Sequence, residues 1–280
     1  INSLKKKGKK NLLLITADNN DYDFYKDTIE CLVINNLFIL KIFFKMLTCK
    51  FMIMTLTDLG NHLPKSKLCS NYVYFFHATA STHKIYTKEA FKNYDIILTN
   101  GEYQKKELIE AELQFNFPKK EIINTGYFFL DHVKKKAKLN IKEKKNILFA
   151  PSWNYNNQNL FNDYGKLIIS DLLNKGYCIT LRPHPEHYKR SKKQIKEILE
   201  LFNKYKSFTL DRNFSNLQSL EKSSILITDN SSIVIEYMLI FKRPIIFIEY
   251  TEKLHNSEVN KIKLLTLEDE FKKLFGNIIK

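Results

Sequence analysis

Arginine is scarce in this chain: of 45 Lys and Arg residues only Arg182, Arg190, Arg212 and Arg243 are arginines, while 30 Asp and Glu leave a formal net charge of +15. Such a surplus raises nucleic acid or an anionic membrane surface as a partner. Dedicated phosphate readers lean on arginine's planar fork, however, and no RNP, helix-turn-helix or zinc spacing accompanies the charge, so no nucleic-acid partner is expected. Lysine alongside abundant Ile and Asn is how an AT-rich genome writes neutral surface positions, and Lys5–Lys10 reads as a solvated arm. Seven glycines and six prolines exclude collagen-like and low-complexity classes. A GxGxxG fingerprint is missing, which disfavours NAD-type binding.

Cysteine is sparse as well. Cys31, Cys49, Cys69 and Cys178 lack CxxC spacing and a nearby histidine pair, and read as free thiols of a reducing compartment. HExxH and paired-carboxylate spacings are absent, so Leu130-Asp131-His132 and Pro185-Glu186-His187 read as structural and no metal is expected. A spanning helix needs about 20 nearly uninterrupted apolar residues. The most apolar stretch, Cys31–Leu59, is broken by Asn35, Asn36, Lys41, Lys45 and Lys50. It reads as a buried helix and a buried strand, with interfacial docking as the alternative. No signal peptide is visible, although the chain opens on Ile1, which leaves room for an upstream segment. A cytoplasmic location follows, with peripheral contact at the inner, anionic face of the membrane.

With 44% hydrophobic and 13% aromatic residues, the 280-residue chain can fill a core, and its length fits two domains or one large α/β unit. Strands are expected at Leu12–Thr16, Phe51–Thr55, Tyr72–Phe76, Asp95–Leu98 and Ile122–Thr125, with helices at Tyr25–Phe44 and Glu102–Leu113. After a charged linker at Lys134–Lys145 the pattern restarts. Strands follow at Asn146–Ala150, Tyr177–Leu181, Phe208–Leu210, Ile225–Thr228 and Pro244–Ile248. They alternate with helices at Leu160–Leu173, Ser191–Tyr205 and Ser232–Phe241. This alternation implies parallel sheets covered on both faces. The fold class is therefore α/β, with two Rossmann-like domains (residues 1–140 and 141–280) facing a central cleft where ligands bind at strand C-terminal ends.

Three segments carry chemistry. Tyr72–Phe76 runs directly into His77, placing an imidazole at a strand's C-terminal lip, where it can accept a proton from a hydroxyl nucleophile. Leu181-Arg182-Pro183-His184-Pro185 fixes an arginine and a histidine between two prolines, an arrangement suited to phosphate. Ile225–Thr228 ends at Asp229, and Ser231 and Ser232 open a helix whose free amides favour an anion. Ordinary N-capping by Asn230 or Ser231 is the alternative. Glu236, one turn after Ser232, lies on the same face and suits ribose hydroxyls.

Together these residues resemble the CDP-glycerol glycerophosphotransferases, a family that includes teichoic acid polymerases and related capsule enzymes of bacteria. Met54-Thr55-Leu56-Thr57-Asp58-Leu59 with Lys65-Ser66 is similar to the family's TMPDL…K-S segment. Phe76-His77-Ala78-Thr79-Ala80-Ser81-Thr82-His83-Lys84-Ile85-Tyr86, followed by Ala90–Asp95, is similar to FHS…STHxIY…AFDHYD. Gly126-Tyr127 with Leu130-Asp131 matches GYPxLD. Ala150-Pro151-Ser152-Trp153, Arg182–Pro185, Thr228–Ser232 and Lys242–Phe247 complete an ordered set over residues 54–247. Ala78 replaces the glycine of the polymerases, Asn230 stands where many members carry tyrosine, and Glu236 sits near a position that often holds Asp.

The resemblance implies a GT-B-like pair of Rossmann domains and transfer of an alditol phosphate, such as glycerol phosphate, from a CDP-linked donor, with CMP released. His77 and His184 would be catalytic. Arg182 and His184 would hold the donor phosphates, Ser231 and Ser232 the pyrophosphate, and Asp229 would shape that loop, with Glu236 on the donor and Ser81, Thr82 and Ser152 in support. No cofactor is required on this reading. The acceptor would be a lipid-linked or saccharide hydroxyl in teichoic acid or capsule assembly. A GT-B glycosyltransferase or sugar-nucleotide epimerase using a UDP- or CMP-sugar is the alternative.

Overall fold

A computed structural model describes residues 11–57, 59–139, 145–154, 158–213, 215–251, 256–275 and 277–279. The Lys5–Lys10 arm, Asp58 of the first motif segment and most of the expected linker's second half lie outside them. The chain divides into two compact units, Ile1–Phe75 with Glu89–Ile97, and Phe76–Lys88 with Leu98–Lys280.

In the first unit β1 (Leu13–Thr16), α1 (Asn19–Tyr25), β2 (Glu30–Val33), α2 (Leu37–Met46), β3 (Cys49–Met54) and β4 (Cys69–Phe75) succeed one another. A single helix over Tyr25–Phe44 was expected from composition. Instead the chain turns at Thr28 and Ile29, whose amides bond to Tyr25 O, and Glu30–Val33 pairs in parallel with β1. Asn36 then restarts a helix by accepting from the Phe38 and Ile39 amides. β3 pairs in parallel with β4, bringing Cys49 opposite Cys69 with their thiols 3.3 Å apart. Desolvation, and then the neighbouring thiol, push the Cys49 pKa up to about 12. The motif residues here serve the framework of β4. Asp95 accepts the Tyr72 amide at 2.8 Å and meets Lys65 Nζ at 3.3 Å, and Tyr74 packs edge-on against Phe91 and Tyr94.

The second unit takes up α3 (Thr82–Ile85), receives the chain through β5 (Ile96–Thr99), and continues with α4 (Glu102–Phe115), β6 (Glu121–Asn124) and α5 (Phe128–Lys136). Its main sheet is built by β7 (Asn146–Phe149), α6 (Leu160–Asn174), β8 (Cys178–Leu181), α7 (Pro185–Arg190), α8 (Lys192–Phe202), β9 (Phe208–Leu210), α9 (Leu217–Lys222), β10 (Ile225–Thr228), α10 (Ile233–Glu236), β11 (Ile245–Ile248), α11 (Leu267–Phe275) and β12 (Asn277–Ile279). The six strands lie in the order β12-β11-β10-β7-β8-β9, and every pairing is parallel. Counted from β7 this is the 3-2-1-4-5-6 order of the Rossmann fold, whose topological switch point falls between its first and fourth strands. Here those are β7 and β10.

Short apolar strands make this possible. Ile147 and Phe149 point to one side, among Phe161, Ile169, Ile198 and Leu181, while Leu148 and Ala150 point to the other, among Leu226, Val234, Tyr237 and Phe247. A strand buried on both faces reads as a continuous apolar run rather than an alternating one. α5 reaches Lys136, so the start of the segment read as linker is helical. The expected helix over Ser232–Phe241 is a four-residue α-helix continued by a π-helical turn, Tyr237–Phe241, that ends on left-handed Lys242. Arg243 then donates to the carbonyls of Leu220, Glu221, Ser223 and Leu139 at 2.6–2.9 Å, closing the end of α9.

Gly176 ends α6 with φ +79°, and a Cβ there would meet nothing within 4 Å. Gly176→Ala is therefore expected to cost only the backbone penalty, about 1–2 kcal/mol. Urea unfolding that leaves the midpoint unchanged would contradict it.

Candidate functional site

The switch point is pinned by one carboxylate. Asp229, buried and directly after β10, accepts the Ser152 amide at 2.7 Å and the Ser152 hydroxyl at 2.6 Å, holding the loop after β7 against the loop after β10. The same loop is fastened from behind. His187, buried in α7, lies 3.0 Å from Ser152 O through Nε2 and 3.1 Å from Ser191 Oγ through Nδ1. A carbonyl can only accept, so Nε2 carries the proton and Nδ1 receives the Ser191 hydroxyl. His187 is structural, as the sequence led one to expect.

His184 caps α7. Its Nδ1 accepts the Glu186 amide at 3.2 Å, and Pro185 supplies the first helical position. Accepting at Nδ1 puts the proton of the neutral ring on Nε2, which makes that atom the donor. The ring lies 5.7 Å from Trp153, and the Arg190 guanidinium also lies over Trp153, at 5.1 Å. Two prolines, a cap and an aromatic contact leave this imidazole little freedom.

Arg182, at the end of β8, forms an ion pair with Asp211, which follows β9. Burial alone would raise the Asp211 carboxyl. Hydrogen bonds from Ser219 Oγ, the Asn213 amide and Arg182 outweigh it and hold the pKa below the ordinary carboxylate range. The Arg182 charge also acts on Glu236, which accepts from Asn216 Nδ2. Desolvation dominates at Glu236 and raises its pKa despite both partners. Glu236 in turn disfavours ionisation of Tyr127, which desolvation and that charge push up to about 12. The Tyr127 hydroxyl makes a long contact, 3.5 Å, to the His77 carbonyl. One electrostatic chain thus runs from the His77 backbone through Tyr127 and Glu236 to Arg182 and Asp211.

His77 itself follows β4 with an exposed side chain. Enough protein surrounds part of the ring for desolvation to lower its pKa, which favours the neutral, proton-accepting form. Beyond it, Ser81 and Thr82 turn inward. Ser81 Oγ donates to Glu107 at 2.7 Å, and Glu107 also accepts the Thr82 amide and hydroxyl at 2.6 and 2.7 Å. Their hydroxyls hold the loop that carries His77.

Ser231 is half-buried and Ser232 exposed at the start of α10. No side chain caps this helix, so the capping alternative raised by the sequence is not realised. Asp229, Asn230, Ser231 and Ser232 line a depression that opens to solvent, together with Glu268, Phe271 and Lys272 of α11. Among the described residues no group of three or more His, Cys, Asp or Glu gathers as a metal-ligand set, and no helix is long and apolar enough to cross a membrane.

A family model described as CDP-glycerol:poly(glycerophosphate) glycerophosphotransferase matches residues 52–271. The chain belongs to this family. The match takes in every motif segment from Met54 to Phe247 and all the candidate site residues from His77 to Glu236. No curated protein sequence matches the chain. Among solved structures, the wall teichoic acid polymerase TagF is similar at 19% identity and a TM-score of 0.49, over 88% of this chain. This chain spans 64% of that TagF chain. The UDP-GlcNAc 2-epimerase from Methanocaldococcus jannaschii is similar at 14% identity and a TM-score of 0.57, covering 99% of this chain and 83% of its own. A putative UDP-N-acetylglucosamine 2-epimerase from Listeria monocytogenes gives 10%, 0.55, 97% and 82% in the same terms. At such identities the likenesses to the two epimerases concern the fold, and they agree with the α/β, GT-B-like class read from the sequence.

Tyr127, Asp211, Glu107 and Glu268 had no assigned role from sequence. Tyr127 lay inside a motif segment. The other three join partners far along the chain, and for Glu268 a Thr266-to-Asp269 capping pattern was the available signal for its helix.

Proposed function

We propose that this chain moves glycerol phosphate, or another alditol phosphate, from a CDP-linked donor to an acceptor hydroxyl in cell-surface polymer assembly, releasing CMP. The family match over residues 52–271 carries this reading. It is supported by the gathering of Ser152, Arg182 and Asp229 at the C-terminal ends of β7, β8 and β10, where open α/β sheets bind ligands.

In this reading the acceptor oxygen attacks phosphorus, the bond from phosphorus to the CMP oxygen breaks, and CMP leaves with that electron pair. His77 takes the hydroxyl proton. His184, through Nε2–H, and Arg182 meet the negative charge on the phosphate oxygens, and Ser231 and Ser232 bind the pyrophosphate. Asp229 acts through Ser152 by holding the loop, Glu236 faces the ribose hydroxyls, and Ser81 and Thr82 steady the His77 loop. Catalysis of this kind rests on positioning and preorganised positive charge. The acceptor is a lipid-linked or saccharide hydroxyl. Peripheral contact with an anionic inner leaflet fits the exposed Phe38, Ile39, Ile42 and Met46 of α2 beside Lys41 and Lys45.

Incubation with CDP-glycerol or CDP-ribitol and a lipid-linked or oligosaccharide acceptor should yield CMP and an acceptor heavier by one alditol phosphate by mass spectrometry. A preference for uridine over cytidine nucleotides would replace this reading with a glycosyltransferase or epimerase acting on a UDP-sugar.

A further inference from the structure

The depression beside Ser231 and Ser232 has two polar atoms that the fold itself does not use. Asn230 Oδ1 and Glu268 Oε2 are both buried without a hydrogen-bonding partner among the described residues. A buried acceptor left unmatched is costly, and in native structures it calls for an explanation. Both residues line the same depression.

Glu268 is held in place by its other oxygen. Oε1 accepts the Ser81 amide at 3.3 Å, and the next link, Leu267 N to Ser81 Oγ at 2.6 Å, ties α11 to the loop that carries His77. Burial raises the Glu268 pKa, opposed by Lys84 and the Ser81 amide and reinforced by Glu107. Between the two orphan atoms the surface is apolar, made by Val234, Ile235, Phe247 and Phe271. Lys272, one turn after Glu268, adds an ammonium.

Apolar walls, two unmatched acceptors and one cation suit a short carbon chain with hydroxyls on it and a phosphate at its end. The depression is partly open to solvent. We propose that Asn230 Oδ1 and Glu268 Oε2 receive hydroxyl hydrogens from the alditol of the donor, with Lys272 facing its phosphate. This rests on the alditol-phosphate reading above and adds the residues that select the alditol.

Calorimetric titration of the full chain with CDP-glycerol and, separately, with CDP tests it. Wild type is expected to bind CDP-glycerol more tightly than CDP. Asn230→Leu and Glu268→Gln should each weaken CDP-glycerol by about three- to tenfold, the loss of one hydrogen bond, and leave CDP unchanged. Equal weakening of both ligands, or of neither, overturns the proposal. If Glu268→Gln fails to fold, Asn230→Leu carries the test alone, because Asn230 Oδ1 has no hydrogen-bonding partner among the described residues. Wild type that binds neither ligand removes the alditol-phosphate reading and this inference with it. Intact CDP-glycerol binding with unaffected variants removes only the inference.

Discussion

Replacing His77 with alanine is expected to slow CMP release at least about 100-fold, within the range for losing a positioned acid–base group. Thermal unfolding should stay where it is. The His77 side chain is exposed, and the contact that Tyr127 makes is to its carbonyl, which the substitution keeps. The pH profile supplies an independent readout. Desolvation lowers the His77 pKa, so the ring is neutral at and above its ordinary value near 6.5. kcat/KM should be level there and fall on the acid side, with an apparent pKa below 6.5; an alanine variant loses that limb. The same depressed pKa has a stability sign. The unfolded chain binds the proton more readily, so stability falls as pH drops from about 6.5 toward the folded value. His77→Gln, which can donate but cannot take a proton at neutral pH, separates two roles. Activity retained in that variant would make His77 a hydrogen-bond donor to the transition state rather than the base.

Arg182→Ala should be the most damaging single change to stability, at about 3–5 kcal/mol, the usual cost of leaving one partner of a buried ion pair behind. The Asp211 side chain is 4% exposed and that of Arg182 16%. Without the guanidinium, Asp211 would keep, among the described residues, the Ser219 hydroxyl and the Asn213 amide and side chain. Urea unfolding measures the loss, and a double variant with Asp211→Ala should recover part of it. The pair's contribution depends on an ionised Asp211, whose folded pKa is depressed. It is present above the unfolded value near 4 and disappears as pH falls through the folded one. An Arg182→Ala protein with wild-type stability but no activity would mean that the guanidinium serves the ligand alone.

What the sequence made legible was local. Ile147–Phe149 and Ile225–Thr228 are apolar runs too short for helices, and they are neighbours at the switch point. His77, Arg182 and Asp229 stand at strand ends because each follows such a run. The partnerships were not legible. Asp229 and Ser152 are 77 residues apart, and Arg182 and Asp211 29, so no spacing rule joins them. β2 was hidden inside an apolar stretch because four residues of Glu-Cys-Leu-Val carry too little periodicity to separate strand from helix. The Cys49–Cys69 meeting is a matter of strand register, which only the pairing of β3 with β4 reveals.

The switch-point sheet has a consequence for how such a protein can change. Ser152, Arg182 and Asp229 leave three different strands, and the packing that stabilises those strands comes from other residues, Phe149, Leu181 and Ile227 among them. Frame and chemistry are therefore inherited separately. Strand ends can be rewritten for another activated donor one at a time, except that Arg182, paired with buried Asp211, ties its own strand end to the stability of the sheet.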